Sequence, residues 1–486
     1  MAYNRFAKNS FAKPVKQARA IRSWSKYQED IFADIASGKG NTQVDALAGT
    51  GKTSTIVEGF YHAPKDKSIL MCAFNKSIQT ELESRAPEGI DIKTLHSLGY
   101  AACRRAFPKI GAPDKNKLDG YIKAEIGEED NYEFRSNVAK LVSLCKGYLA
   151  HSYNEIDEVI DRHDIETNEH SREFVVTLAL KLLDATKRDT NRVDFDDMVW
   201  LPNVLNLKLP KYGMVFIDEA QDLNNAQINL ALNSIDVNGR IISVGDRNQA
   251  IYGFRGADSN AIQNIVDRLQ SKRLPLSVTY RCAKAIVQMA QSIVPQIEAA
   301  SSAEEGIVEN ISENNVERMV KPGDFILSRA NAPLIKWCLT LLKSRIPANI
   351  QGRDLGKNLN AMIKKSKANS VEGFLTWLDE YEGMEVMRLA KIKRSTDIIS
   401  DKAECLRILC DGARTLDEVQ ENMDKLFKDG DDTNRVILSS IHRSKGLERD
   451  RVFVLNNTLK IGKNQEESNL GYVAYTRAKR ELYLVG

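Results

Sequence analysis

The run Ala48-Gly49-Thr50-Gly51-Lys52-Thr53, directly after the mainly apolar stretch Val44 to Leu47, constrains this chain more than any other feature. The apolar stretch reads as a buried strand, and the glycine run as a loop that opens a helix. The glycines let backbone N–H groups converge on phosphate oxygens, and the helix turns its positive end toward them. Lys52 can then reach the β- and γ-phosphates, and the Thr53 hydroxyl can ligate Mg²⁺. The pattern G-x-x-x-x-G-K-[ST] asks for glycine at position 46, where this chain has Ala46. A second run, Val215-Phe216-Ile217-Asp218-Glu219-Ala220-Gln221-Asp222, sets two carboxylates at the end of another apolar stretch. An acid beside a phosphate loop holds a metal there. Together the two runs imply hydrolysis of a nucleoside triphosphate.

With 486 residues, the chain exceeds the size at which single cores stop growing, so two or more domains are expected. A hydrophobic content of 42% and a charged content of 28% are ordinary for a soluble globular protein. No apolar run is long enough to span a bilayer, and the basic N-terminus lacks the apolar segment of a secretory signal. Cys72, Cys103, Cys145, Cys282, Cys338, Cys405 and Cys410 are scattered and form no C-x-x-C. Reduced thiols in a cytoplasmic compartment fit this usage, without a zinc site or an iron–sulfur cluster. The net charge of +3 is nearly balanced, so any basic surface is local.

Strand candidates fall in two series, 42–47, 69–74, 91–94, 214–218, 240–244 and 274–279, then 324–328, 435–441, 451–455 and 481–485. Helical stretches separate them, which indicates α/β architecture with parallel sheets in two domains. The first domain is expected over 24–100 and 194–275, and the second over 276–345 and 433–486. Residues 101–193 and 346–432 are charged, with helical spacing, and read as mainly helical insertions. The second carries the basic run Arg388, Lys391, Lys393 and Arg394. Residues 1–23 form a basic arm without acidic residues, in which Phe6-Ala7-Lys8 recurs as Phe11-Ala12-Lys13. Its simplest reading is a solvated tail; the sharper one is an arm that touches a phosphate backbone or docks a protein partner through its phenylalanines.

Further motifs follow in order: Phe74-Asn75-Lys76-Ser77, Thr94-Leu95-His96-Ser97, Gly245-Asp246-Arg247-Asn248-Gln249, Ile251-Tyr252-Gly253-Phe254-Arg255-Gly256-Ala257, Tyr280-Arg281, Lys445-Gly446-Leu447-Glu448 and Tyr475-Thr476-Arg477-Ala478. Their order and spacing resemble superfamily 1A DNA helicases of the UvrD/PcrA/Rep type, and the first two also resemble the F-box-containing DNA helicases. The resemblance runs from about Tyr27 to the C-terminus and is weakest over the two insertions. It implies two RecA-like parallel-sheet domains, each interrupted by a mainly helical insertion, and it tolerates Ala46.

At the ATP site the resemblance implies that Gln28 reads adenine and that residues 48–54 cradle the phosphates: Ala48, Gly49, Thr50, Gly51, Lys52, Thr53 and Ser54. Thr53 and Asp218 hold Mg²⁺, and Glu219 positions and deprotonates the attacking water, a task suited to a carboxylate beside a metal-bound one. Gln249 senses the γ-phosphate. Arg281 and Arg477 grip it with bidentate guanidinium forks. Tyr280 stacks on the base and Glu448 contacts the ribose. Many relatives carry arginine where Ser54 stands, so a looser hold on the base is expected. On the nucleic-acid track, Phe74, Tyr252 and Phe254 offer stacking faces, each worth about 1–3 kcal/mol per base. Phe254 is a smaller platform than the tryptophan common there. Asn75, Thr94, His96, Arg255, Arg329, Asn331 and His442 occupy positions that touch backbone or bases.

The implied activity is that of an ATP-dependent single-stranded DNA translocase and helicase moving 3′→5′, with ATP hydrolysed in a cleft between the two RecA-like domains. Its cofactors are ATP and Mg²⁺, and its substrates single-stranded and 3′-tailed duplex DNA, away from any membrane. A translocase that strips proteins from single strands without processive unwinding uses the same motifs. A degenerate binding module is disfavoured by the complete set of catalytic residues. A P-loop kinase or GTPase is disfavoured because Asn75-Lys76-Ser77-Ile78 lacks the aspartate of N-K-x-D. With eight residues after Ala478, no C-terminal nuclease or partner-binding tail is expected. The compact form suits a phage- or plasmid-borne protein in a bacterial cytoplasm. Asp196-Asp197 imitates a catalytic acid pair, but the resemblance gives it a structural role.

Overall fold

The computed structural model describes residues 23–127, 132–163, 165–167, 170–251, 260–391, 395–427 and 434–486. The basic arm through residue 22, Tyr252, Phe254 and Arg255, the last two members of the Arg388–Arg394 basic run, and residues 429–432 lie outside the described residues. The chain forms two compact units. One runs to Ala46, then over Gly51–Arg247 and on to Leu276; the other comprises Leu47–Thr50, a segment beginning at Asn248, and Ser277–Gly486.

The first unit is built on β1 (Thr42–Ala46), β2 (Ile69–Ala73), β3 (Ile90–Thr94), β4 (Tyr212–Ile217), β5 (Ile235–Gly245) and β6 (Lys272–Leu276). Their order across the sheet is β3-β2-β4-β5-β1-β6, every pair parallel. Helices cover both faces, so β2 is buried at every position and its sequence, Ile-Leu-Met-Cys-Ala, is continuously apolar. One face buries Val44, Ile56, Phe60, Met71 and Phe216; the other buries Leu70, Leu98, Val215 and Ile241. Pro275 is tolerated because β6 is an edge strand and has no second ladder to supply.

Between β3 and β4 the chain is helical, from Leu95–Ala106 to Phe195–Val204, with its own core of Phe134, Leu141, Val176, Leu182 and Trp200. The first and last of these helices meet at Gly99, where an added Cβ would stand 2.0 Å from the Met198 carbonyl oxygen. That neighbour is backbone and cannot swing away. Gly99→Ala should therefore destabilise the protein by about 1–3 kcal/mol. A denaturation midpoint equal to the wild type's would show that the two helices can part without cost.

In the second unit, β7 (Val278–Thr279) and β8 (Glu298–Ala299) pair as a short parallel ladder. The main sheet contains β9 (Ile307–Ile311), β10 (Phe325–Ser328), β11 (Ala348–Ile350), β12 (Val436–Ser440), β13 (Arg449–Leu455) and β14 (Ala478–Val485). Its order is β11-β12-β10-β13-β14-β9, again parallel throughout. Among the described residues, four helices lie between β11 and β12, from Arg353–Ser366 to Leu416–Leu426.

Three strands escape the sequence reading, the two-residue β8 among them. β9 is an edge strand with three of five residues exposed, so it shows no continuous apolar run. β11 is three residues long and extends the sheet into sequence read as insertion. The candidate 274–279 divides at Ser277 into β6 and β7, which belong to different sheets. Among the described residues, no helix is long and apolar enough to cross a membrane.

Candidate nucleotide and nucleic-acid sites

In an open parallel sheet, ligands gather at the carboxyl ends of the strands, where the loops leave for the helices. In the first unit β1 ends at Ala46 before the glycine run, β2 before Phe74, β3 at Thr94, β4 before Asp218 and β5 before Asp246. Gly49 and Gly51 have φ of +71° and +80°, left-handed values that a side chain resists. Gly51 caps the helix Lys52–His62 without a side-chain bond, and the helix N-terminus opens toward the loop. Lys52 Nζ lies 3.5 Å from the Ala46 carbonyl and 3.8 Å from Glu219 Oε1.

Glu219 has φ of +49°, a strained conformation for a residue with a side chain. Its N–H donates to Asp218 Oδ1 at 2.9 Å, and its carboxylate accepts from the Gln221 amide. Gln221 in turn accepts from the Asp246 N–H at 3.0 Å, tying the ends of β4 and β5 together. The sequence reading gave Gln221 no role, because nothing in its spacing reveals that link. Burial, and then Glu219, push the Asp218 carboxyl up to about 7 against the opposing pull of Lys52. The Thr53 hydroxyl and the Asp218 carboxylate are hard oxygen donors. This suits Mg²⁺, which takes one or two protein ligands and completes its shell with phosphate and water.

Gln28 is buried beside the same loop. Its Nε2 donates to Thr55 Oγ1 at 2.8 Å, and its Oε1 accepts from the Ser25 N–H at 3.1 Å in a capping box. The amide expected to read adenine thus also fixes the start of its own helix. Ser54 Oγ accepts from Arg85 Nη2 at 3.1 Å.

In the second unit Leu47–Thr50 packs with the segment around Tyr280. The Tyr280 N–H donates to the Gly49 carbonyl at 2.9 Å, and the Ala48 N–H to the Tyr472 hydroxyl at 2.9 Å. The Tyr280 ring is 51% exposed, as a stacking residue requires. Arg281 and Arg477 come together at Thr476. Arg281 Nη1 donates to the Thr476 carbonyl at 3.3 Å, and Arg477 Nη2 to its hydroxyl at 3.4 Å. Arg477 is fully buried, also donating to the carbonyls of Val473 at 3.0 Å and Leu447 at 3.1 Å. Burial, and then Arg281, push its pKa down to about 10. Glu448 pairs with Arg281 at 2.5 Å and with Lys479 at 3.0 Å. Arg281 and Lys479 therefore share one carboxylate with the Arg477 cation close by, an arrangement that favours an added anion. Beyond β5, the Gln249 and Ala250 carbonyls accept from Lys445 Nζ at 2.8 Å and Asn469 Nδ2 at 3.0 Å.

The expected nucleic-acid residues that are described follow the carboxyl ends of strands in each sheet. Phe74 is 40% exposed after β2. Asn75 and Thr94 cap the helices they precede, accepting from the N–H groups of Ile78 at 2.9 Å and Ser97 at 3.1 Å. The His96 ring stands 6.3 Å from that of Phe195, and burial holds its pKa below the ordinary value. Phe195, 61% exposed, is an aromatic the sequence reading left out; its neighbour His96 is visible only in three dimensions. After β10, Arg329 donates to Glu467 at 3.1 Å, and Asn331 donates to Asp401 at 2.8 Å. His442 follows β12. Glu448 and Arg477 instead precede β13 and β14, at the amino ends of strands, whereas Arg329, Asn331 and His442 follow carboxyl ends.

Asp197 has no part in either site. It is buried between Lys117 Nζ at 2.6 Å and Lys146 Nζ at 2.8 Å, while Lys146 also meets Asp194 at 2.9 Å.

Residues 27–270 match the model of the UvrD/REP helicase N-terminal domain, and residues 435–485 that of the UvrD-like helicase C-terminal domain. F-box DNA helicase protein 1 of Schizosaccharomyces pombe is 27% identical over 91% of this chain and 55% of its own length. F-box DNA helicase 1 of Gallus gallus is 24% identical over 91% of this chain and 47% of its own. ATP-dependent DNA helicase PcrA of Staphylococcus aureus is 25% identical over 54% of this chain and 38% of its own. The chain thus spans about half the length, or less, of the curated relatives it matches. With the phosphate loop, the acidic pair and the clustered arginines on one scaffold, and half the chain under the first family model, the chain belongs to the UvrD/REP helicase family.

Proposed function

We propose that the protein is an ATP-driven single-stranded DNA translocase and helicase that moves 3′→5′ in the cytoplasm. The observation that carries this reading is the organisation at the end of β4. There Asp218 and Glu219 are tied to each other, to Gln221 and to Lys52 beside a glycine loop of left-handed backbone. Lys52 would hold the β- and γ-phosphates, and Glu219 would take the proton of the attacking water. Mg²⁺, bound by Thr53 and Asp218, would supply charge to neutralise the phosphate oxygens. Gln249 would bond the γ-phosphate, and Arg281 and Arg477 would bind it from the second unit, with Tyr280 on the base and Glu448 at the ribose.

A ligand moves a conformational equilibrium only by its differential affinity for the two states. Here a γ-phosphate held from both units would supply that difference, and its loss would release it. Phe74 and Phe254 would grip the bases in alternation, with His96, Phe195, Arg329, Asn331 and His442 along the strand.

Steady-state ATPase assays and strand displacement on 3′-tailed and 5′-tailed duplexes test this. Hydrolysis should rise with single-stranded DNA, and only the 3′-tailed duplex should open, and only with ATP. Hydrolysis indifferent to saturating single-stranded DNA would sink the translocase reading. Opening of the 5′-tailed substrate alone would reverse the polarity. Strong stimulation with both duplexes intact would favour protein stripping over unwinding.

A further inference from the structure

We propose that Arg85 is part of the nucleotide site and lays its guanidinium against the base of bound ATP. The inference rests on reading the glycine loop as an ATP site. In the first turn of the helix Lys52–His62, Lys52 and Thr53 are committed to the phosphates and metal. The next two residues are each tied to a different neighbouring helix. Thr55 Oγ1 accepts from Gln28 of the helix Lys26–Ser37, and Ser54 Oγ accepts from Arg85, the last residue of the helix Lys76–Arg85. Arg85 Nη1 also donates to Glu81 Oε1 at 2.7 Å, one turn back on its own helix. The guanidinium is therefore fixed through both terminal nitrogens, yet its side chain remains 22% exposed.

On that reading the phosphates sit at the helix N-terminus, and the ribose and base would pass beside its first turn. Gln28 and Arg85 stand at that turn, one carrying an amide and the other a planar cation. A guanidinium stacks on an aromatic face and keeps its charge at any physiological pH. The anchoring to Ser54 pre-sets its position, so little side-chain freedom is lost on binding. The serine that suggests a loose hold on the base is, on this view, the support for an arginine supplied from another helix.

The test compares Mg·ATP with Mg·tripolyphosphate, which has the phosphates but no base, on the full chain and on Arg85→Ala and Arg85→Lys. Binding is read by displacement of a fluorescent ATP analogue, and turnover as KM and kcat. Arg85→Ala should weaken ATP binding and raise KM about 3- to 30-fold. Its kcat should stay within about twofold, and its tripolyphosphate affinity should be unchanged. Arg85→Lys, which keeps charge but not the plane, should recover only part of the loss. Equal weakening toward both ligands, or no weakening toward either, would overturn the assignment. A wild-type chain that binds neither ligand would overturn the ATP reading itself, and this one with it.

Discussion

Replacing Glu219 with glutamine should lower DNA-stimulated ATP hydrolysis by about 10²–10⁴-fold while Mg·ATP still binds. Glutamine keeps the shape and the capacity to bond Gln221 but cannot accept the proton of the attacking water. The change also removes the Lys52–Glu219 ion pair, at 3.8 Å and partly exposed, whose loss costs about 0–1 kcal/mol. A defect of about fivefold or less would therefore be accounted for by that pair alone. Steady-state turnover measured beside equilibrium ATP binding separates the two. A variant that hydrolyses ATP at nearly the wild-type rate would exclude Glu219 as the base.

The second large effect lies in the first insertion. Asp197→Ala should destabilise the protein by about 3–5 kcal/mol, because it leaves the buried Lys117 ammonium without a carboxylate and Lys146 with Asp194 alone. Lys117 and Lys146 come from two insertion helices, Lys117–Ile126 and Tyr132–Tyr148, and both converge on Asp197 in the helix Phe195–Val204. Burial lowers the pKa of Lys146, and Asp197 with Asp194 overcome that, leaving it above the ordinary value. The sign follows: a raised lysine contributes its full stability below its unfolded pKa and loses it only as pH climbs past the higher folded one. The clamp is therefore intact throughout the neutral range. Denaturant unfolding at neutral pH measures the effect, and a midpoint matching the wild type would mean that water reaches both ammonium groups.

The local grammar of the first unit was legible residue by residue. The apolar runs at 69–74 and 214–218 became β2 and β4, because strands buried on both faces must be apolar at every position. The glycine loop was legible because left-handed backbone and phosphate cradling both call for glycine at fixed spacing. What escaped lies on edges and in long-range contacts. β9 is too exposed and β11, though buried, too short to leave a pattern, and the Phe195 ring lies beside that of His96, on a helix 99 positions away.

By itself the sequence determined the strand–loop–helix units and the chemical groups each carries, since those depend on neighbours within a turn or two. Only the tertiary structure decided which distant groups share a space. Arg281 meets Thr476 across 195 positions, Lys117 meets Asp197 across 80, and Arg85 reaches Ser54 across 31. A side chain's partner at such separations is set by how sheets and helices pack, and packing responds to the whole buried surface rather than to any stretch of chain.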